Sequence, residues 1–228
     1  MSAESVTYIT PAFEDKDTGV MLRHWTRADY YRAAELGLFS PEERLELVGG
    51  EVYRKMPQSP LHRAGIRATA DALMSSLGTH FDVQQQLPLV LANDSEPEPD
   101  IVVVPGSWRD YIAHPTQADA RLVVEVSDTT LYFDRSAKAS QYAEAGIPDY
   151  WILNLNDRTL EVHRDPGKLP GAPNGFGYRS ITIYLEDGIV TPLANLDVAL
   201  HVADLLPPRP HDDLKPERTR KRRRQSGS

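Results

Sequence analysis

Asp100, Glu125 and Lys138 are of the types, and in an arrangement, that metal-assisted hydrolysis could use. Glu125 stands inside the apolar run Leu122-Val123-Val124-Glu125-Val126, where a carboxylate is expensive to bury unless it is paired or holds a cation. Asp100 opens the Val-rich segment Ile101-Val102-Val103-Val104, directly after Glu96-Pro97-Glu98-Pro99. An acid at the mouth of one strand and another within the next strand of the same sheet can converge on a single ion. Carboxylate ligands without cysteine select a hard cation, Mg²⁺ or Mn²⁺, which one or two carboxylates hold while waters and a phosphate complete the shell. Lys138 falls on the helix expected after the Glu125 strand, with Tyr142 four residues further along the same face. A lysine aimed at such a site orients the attacking water and stabilises negative charge developing around phosphorus. Taken singly, each has a plainer reading: Asp100 as a solvated strand end, Lys138 as the exposed side of an amphipathic helix, Glu125 as a paired core charge.

The elements that must position these groups are visible as patterns. Thr26-Arg27-Ala28-Asp29 is a capping-box helix start, with Tyr30, Tyr31, Ala34, Leu36 and Leu38 following at near-helical spacing. Alternation on both sides of Gly49-Gly50, from Arg44 to Tyr53, predicts a β-hairpin. Ser59-Pro60 starts a helix that ends at Gly78. Strands are expected over 81–91, interrupted by Pro88, and over 101–104, with an acidic Pro-rich turn between them. Residues 105–119 read as a loop with a helical turn. The run 122–126 reads as a buried central strand, followed by a helix over 134–145 that Gly146 and Pro148 stop. A second buried strand over 149–154 turns into its hairpin partner over 159–163. The Gly/Pro-rich stretch 166–177 reads as a flexible loop, and 178–185 and 189–190 as further strands. Strands and helices mixed around one core place the chain in the α+β (α/β-like) class with a mixed sheet.

Composition narrows the function classes. The chain has 228 residues, 40% hydrophobic and 25% charged, the balance of an ordered domain. With zero cysteines, disulfide scaffolds, thiolate zinc sites and cysteine nucleophiles are excluded. No apolar run is long enough for a membrane span, and Met1-Ser2-Ala3-Glu4-Ser5 lacks the basic-then-apolar layout of a secretory leader, so a cytoplasmic location is expected. The net charge of −8 is unevenly spread. Residues 207–228 carry eight basic and three acidic side chains, and the rest carries 17 against 30, a body of −13 with a tail of +5. The tail, with Arg220, Lys221, Arg222, Arg223 and Arg224, reads either as a solvated terminus or as a handle for a polyanion.

Pro99-Asp100, then Glu125-Val126-Ser127, then Lys138 resembles the PD-(D/E)xK nuclease superfamily. More narrowly, Glu98-Pro99-Asp100-Ile101-Val102-Val103-Val104, Leu122-Val123-Val124-Glu125-Val126-Ser127 and Gly146-Ile147-Pro148-Asp149-Tyr150-Trp151-Ile152 look like the Uma2 family of restriction-endonuclease-like proteins. Glu46-Leu47-Val48-Gly49-Gly50-Glu51 and Ser59-Pro60-Leu61-His62 match as well, and the likeness runs from about Trp25 to Leu205. It implies a restriction-endonuclease-like core over 21–206: a central mixed β-sheet flanked by helices, with an N-terminal helix and hairpin extension. A flexible polar N-terminus (1–20) would precede it and a disordered basic tail (207–228) would follow. It implies a metal-dependent endonuclease acting on nucleic acid, DNA in the first instance, with Asp100 and Glu125 as metal ligands. The superfamily's usual strand lysine is replaced here by Ser127, and Lys138 on the following helix fills its slot. Glu46, Glu51, His62, Gln86 and Tyr142 are supporting candidates, with Gln84 on the same side of its strand as Gln86. The alternatives are a catalytically silent nucleic-acid or protein binding module on the same fold, and a metal-dependent hydrolase of another phosphate ester. A homodimer is the default assembly expected from the prevalence of twofold symmetry.

Overall fold

Segments rich in Val and Ile, able to bury both faces of a pleat, form the centre of a six-stranded sheet in the computed structural model, which describes residues 13–14 and 21–209. The expected N-terminal segment 1–20, apart from 13–14, and the basic residues Arg220 to Arg224 lie outside the described residues. Strands β1 (Phe13–Glu14) and β2 (Met21–Leu22) form a short ladder, and β3 (Leu45–Val48) and β4 (Glu51–Arg54) form the expected hairpin. Its turn residues Gly49 and Gly50 have φ of 59° and 78°, the left-handed pair that a tight two-residue hairpin turn demands.

The large sheet contains β5 (Phe81–Gln85), β6 (Ile101–Pro105), β7 (Leu122–Ser127), β8 (Asp149–Asn154), β9 (Thr159–Lys168) and β10 (Phe176–Tyr184). Their spatial order is β10-β9-β8-β7-β6-β5. The β7–β8 pair is parallel and the other neighbours are antiparallel, so the sheet is mixed. A parallel pair cannot be closed by a tight turn, which is why a helical connection joins β7 to β8. A small ladder of β11 (Ile189–Val190) and β12 (Leu200–His201) completes the strands.

Among the described residues, five α-helical segments accompany the sheets: α1 (Arg27–Glu35), α2 (Pro60–Leu77), α3 (Leu131–Phe133), α4 (Ala139–Glu144) and α5 (Val202–Leu205). The capping box of α1 forms as expected, with Asp29 N donating to the Thr26 hydroxyl and Thr26 N donating to the Asp29 carboxylate. In α2, His62 N donates to Ser59 Oγ at 3.0 Å and Pro60 occupies the first turn. Between α3 and α4 the chain makes a π-helical turn, Asp134–Lys138.

The two sheet faces bury different partners. On one, Ile66, Ala70, Leu73 and Leu77 of α2 pack with Val202 and Leu205 of α5 onto Leu122, Val124, Val126, Trp151 and Leu153. At Gly65 the helix lies close against the sheet, and an added Cβ would meet Val126 Cγ1 at 3.0 Å. On the other face, Ala139, Tyr142 and Ala143 pack onto Val102, Val123, Tyr150 and Ile152. The period-2 alternation of β7 therefore sends Val124 and Val126 under α2, and Glu125 and Ser127 under the π-turn and α4.

Some boundaries differ from the sequence expectation. The strand expected over 81–91 stops at Gln85, because Gln86 adopts a left-handed φ of 54° and turns the chain out of the ladder. The helix expected over 134–145 begins three residues earlier and is π-helical in its middle. The expected loop 166–177 is narrower than the sequence suggests: β9 runs to Lys168 and pairs Pro166 with Tyr178, β10 begins at Phe176, and the loop spans 169–175. Proline is tolerated there because the pairing of β8 with β9 ends at Arg164, leaving that edge open. Among the described residues, no helix is long and apolar enough to cross a membrane.

Candidate active site

Strand register brings the two acids together. Ile101 pairs with Val124 in the antiparallel β6–β7 ladder, so one further step sets Asp100 opposite Glu125. Like charges facing each other across a ladder are unfavourable in themselves. Both are buried, with 4% and 3% exposure. Asp100 is fixed by its neighbours: Val126 N donates to Oδ2 at 2.9 Å, and His62 Nε2 and Gln86 Nε2 each donate to Oδ1 at 3.3 Å. The helix start at Ser59-Pro60 and the close packing at Gly65 deliver His62, while the left-handed turn at Gln86 delivers its amide.

Glu125 is held from the other side by the helix. Lys138 Nζ donates to Glu125 Oε1 at 2.8 Å, and Tyr142 Oη donates to the same oxygen at 2.7 Å. Among the described residues both bonds fall on Oε1, which leaves Oε2 as the oxygen free to take an ion. Lys138 Nζ is also 3.4 Å from Glu46 Oε1, and Glu98 N donates to Glu46 Oε2 at 3.2 Å. The π-turn and α4 bury Asp134, Lys138 and Tyr142 on one face. Thr130 Oγ1 donates to Asp134 Oδ2 at 2.6 Å, and Ser127 Oγ donates to the same oxygen. Ser127, standing where the superfamily pattern has a lysine, thus anchors the turn that carries Lys138.

Protonation follows from burial and charge. Burial pushes the Glu125 carboxyl up to about 7, and Asp100 adds to that push while Lys138 opposes it. Burial would also raise Asp100, but the hydrogen bond and charge of His62, with Lys138 and Val126 N, hold it below the usual carboxylate range. Burial disfavours the Lys138 ammonium, yet Glu125, Glu46 and Asp134 outweigh it and hold this lysine well above its ordinary value. Lys138 is therefore a fixed cation, not a base. His62 is raised in the same way: burial opposes its charge and Asp100 prevails.

A cavity of about 390 Å³ opens onto these groups, with Glu46, His62, Asp100, Glu125, Asp134 and Lys138 among its lining residues. Its aromatic wall is Tyr53 of β4 against Phe133 of α3, ring centroids 4.8 Å apart. The geometry thus brings Asp100, Glu125, Lys138, Glu46, His62, Gln86 and Tyr142 together. Glu51 is not brought in; it is exposed and accepts a hydrogen bond from Tyr53 Oη. Gln84 donates to Asp82 and lines a different hollow. Sequence reasoning missed Asp134 and Asp128. The first was legible as the i−4 neighbour of Lys138; the second, 3.9 Å from His62 Nδ1 and bonded to Ser59 Oγ, had no local signal. Among the described residues, no group of three or more His, Asp or Glu side chains is arranged as a metal cage. Asp100 and Glu125 are the oxygen donors that could hold an ion.

The fold and the family agree with known proteins. The crystal structure of a "putative nuclease belonging to DUF820" from Anabaena variabilis ATCC 29413 superposes with a TM-score of 0.58 at 16% identity, covering 79% of this chain and 97% of that one. No curated protein matches the chain. Residues 27–192 match the family model of Uma2, described as "Putative restriction endonuclease". That match takes in every residue of the carboxylate–lysine constellation, and the chain belongs to the Uma2 family.

Proposed function

We propose that the protein is a divalent-metal-dependent endonuclease that hydrolyses phosphodiester bonds of DNA. The observation that carries this reading is the opposed pair Asp100 and Glu125 at the floor of a cavity, with the Lys138 ammonium bonded beside them. Two buried carboxylates that repel each other are a set that a cation relieves. One or two carboxylates are how Mg²⁺ or Mn²⁺ is held when waters and a phosphate complete the shell. A bound ion of this kind supplies Lewis-acid polarisation of a phosphate oxygen and a more acidic water.

The chain's own residues do the rest. Asp100, locked by Val126 N, Gln86 and His62, presents its carboxylate in one orientation. Lys138 is a buried cation lining the cavity, where it stabilises charge gathering on the phosphate oxygens as water adds and the ester P–O bond breaks. Glu46 and Tyr142 aim that lysine and the Glu125 oxygen it touches.

The test is cleavage of plasmid and oligonucleotide DNA with Mg²⁺, Mn²⁺ or EDTA, with Glu125→Ala and Lys138→Ala run in parallel. Metal-dependent cleavage lost in both variants supports the assignment. Cleavage lost only in Glu125→Ala removes Lys138 from the chemistry. No cleavage, with Mn²⁺ binding that Glu125→Ala abolishes, points to a different phosphate ester. Neither cleavage nor ion binding leaves the binding-module alternative.

A further inference from the structure

The residues around the cavity mouth bear on which form of nucleic acid enters. Of the fourteen described arginines, nine are in ion pairs with carboxylates, as an acidic body makes easy. Of the other five, Arg109 lies over the Trp108 ring and Arg121 donates to backbone carbonyls. Two of the remaining three, Arg44 and Arg54, line this cavity from the hairpin, exposed and without an ion pair among the described residues. Two exposed side chains with apolar surface also line it, Met56 at 71% exposure and Tyr132 at 86%. Free cations beside a solvent-facing aromatic ring are the chemistry that grips a backbone and stacks a base.

Depth adds a second constraint. Asp100, Glu125 and Lys138 have 4%, 3% and 4% exposure, and the Tyr53–Phe133 pair lines the same cavity. A volume of about 390 Å³ is at the small end of ligand pockets, which run from about 300 to 1,000 Å³. An intact duplex is stiff and keeps its base faces stacked inside, so it offers neither a phosphate that can descend into the cavity nor a base face to Tyr132. An unpaired strand offers both.

Resting on the nuclease reading above, we infer that the cavity takes single-stranded DNA, including gaps and flaps within a duplex, and that Tyr132, Met56, Arg44 and Arg54 form its entrance. Tyr132 stacks a base beside the scissile phosphate, while Arg44 and Arg54 hold neighbouring phosphates. These are binding residues, separate from the groups that act on the ester.

The experiment compares one labelled sequence as a single strand, as a blunt duplex and as a duplex with a short single-stranded gap, with Mn²⁺ present. Single-strand and gapped substrates should be cut at least about tenfold faster than the duplex. Tyr132→Ala should weaken binding of the single strand roughly tenfold while leaving Mn²⁺ affinity unchanged, since stacking acts on the base alone. Equal or faster cutting of the blunt duplex overturns the single-strand inference and leaves the nuclease reading standing. So does an unchanged single-strand affinity in both Tyr132→Ala and the Arg44→Ala/Arg54→Ala double variant. Failure to cut any of the three substrates, by protein that circular dichroism shows to be folded, overturns the nuclease reading and this inference with it.

Discussion

The two faces of the central sheet are made by the same strands and do opposite things. Under α2, β7 presents Leu122, Val124 and Val126 to Ile66, Ala70, Leu73 and Leu77, and the packing is almost wholly apolar. Under the π-turn and α4, the alternate residues of β7 are Val123, Glu125 and Ser127, and two of these three bond to polar side chains of the helix. Burial on the first face is stabilising, about 1.5–3 kcal/mol for a side chain such as Leu73. Burial on the second imposes a desolvation penalty on the Glu125 carboxylate that Lys138 only partly offsets. The acids sit in a layer that also buries Val102, Val123, Tyr142, Tyr150 and Ile152, so the two faces differ in the polar set that one of them carries within its apolar packing.

Substituting one residue on each face tests that division most directly. Glu125→Gln should lower the cleavage rate by on the order of 10³-fold, because the isosteric amide removes the charge that holds the ion. Leu73→Ala should instead lower unfolding free energy by about 2–5 kcal/mol, read from urea denaturation, and leave the rate per folded molecule unchanged. If Glu125→Gln lost as much stability as Leu73→Ala, the polar face would prove structural and the contrast would fail.

The pH dependence sharpens the same contrast with a smaller effect. Glu125 is raised from its ordinary 4.5 to about 7, so the folded state favours its protonated form. Its contribution to stability is fully present below pH 4.5 and is lost as pH rises through about 7. His62, also raised, contributes in the same sense: its share is present below 6.5 and is lost as pH climbs past its higher folded value. Asp100 is lowered, so its contribution is present above 3.8 and is lost only as pH falls below that. Without added metal, stability should therefore decline from pH 5 to 8 through this site. Mn²⁺ competes with the proton on Glu125, so the rise in Tm it produces should be small at pH 5 and reach several degrees at pH 8. Glu125→Gln should abolish the Mn²⁺-induced rise at both pH values.

The legibility of this molecule in its sequence divides along the same faces. The apolar face was open to reading because burial leaves a periodic trace: α2 with its Ser59 cap, and β7 and β8 as unbroken apolar runs. Glu125 was legible as the exception to that periodicity, and Lys138 with Tyr142 as helical neighbours four apart. The N-terminal hairpin was legible from its Gly-Gly turn, but not the orientation of its acids. Glu46 and Glu51 share one face of the two-stranded ladder, and long-range packing decides which end of that face is buried. Gln86 was assigned by strand alternation from Gln84, yet it reaches Asp100 because the chain leaves the strand there with a φ of 54°. Asp128 and Asp134 gather through contacts with Ser59, His62, Ser127 and Thr130 that no local pattern encodes.

Glu46 and Glu51 supply the finest version of the comparison, because they sit five residues apart on one hairpin and differ in burial. Glu46 is 4% exposed and shares Lys138 with Glu125, whereas Glu51 is exposed and meets Tyr53. Glu46→Gln removes one of the two closest charges that aim the lysine, and its effect should be about tenfold on the cleavage rate, with Mn²⁺ affinity nearly unchanged. Glu51→Gln should change the rate by less than about twofold and stability by no more than about 0.5 kcal/mol, as surface substitutions usually do. Both are read from single-turnover cleavage and thermal unfolding of the full chain. Equal losses from the two would mean that the hairpin acts through its position as a unit and not through the Glu46 carboxylate. The Lys138–Glu46 contact would then be a consequence of packing, and Glu125 alone would hold the lysine in place.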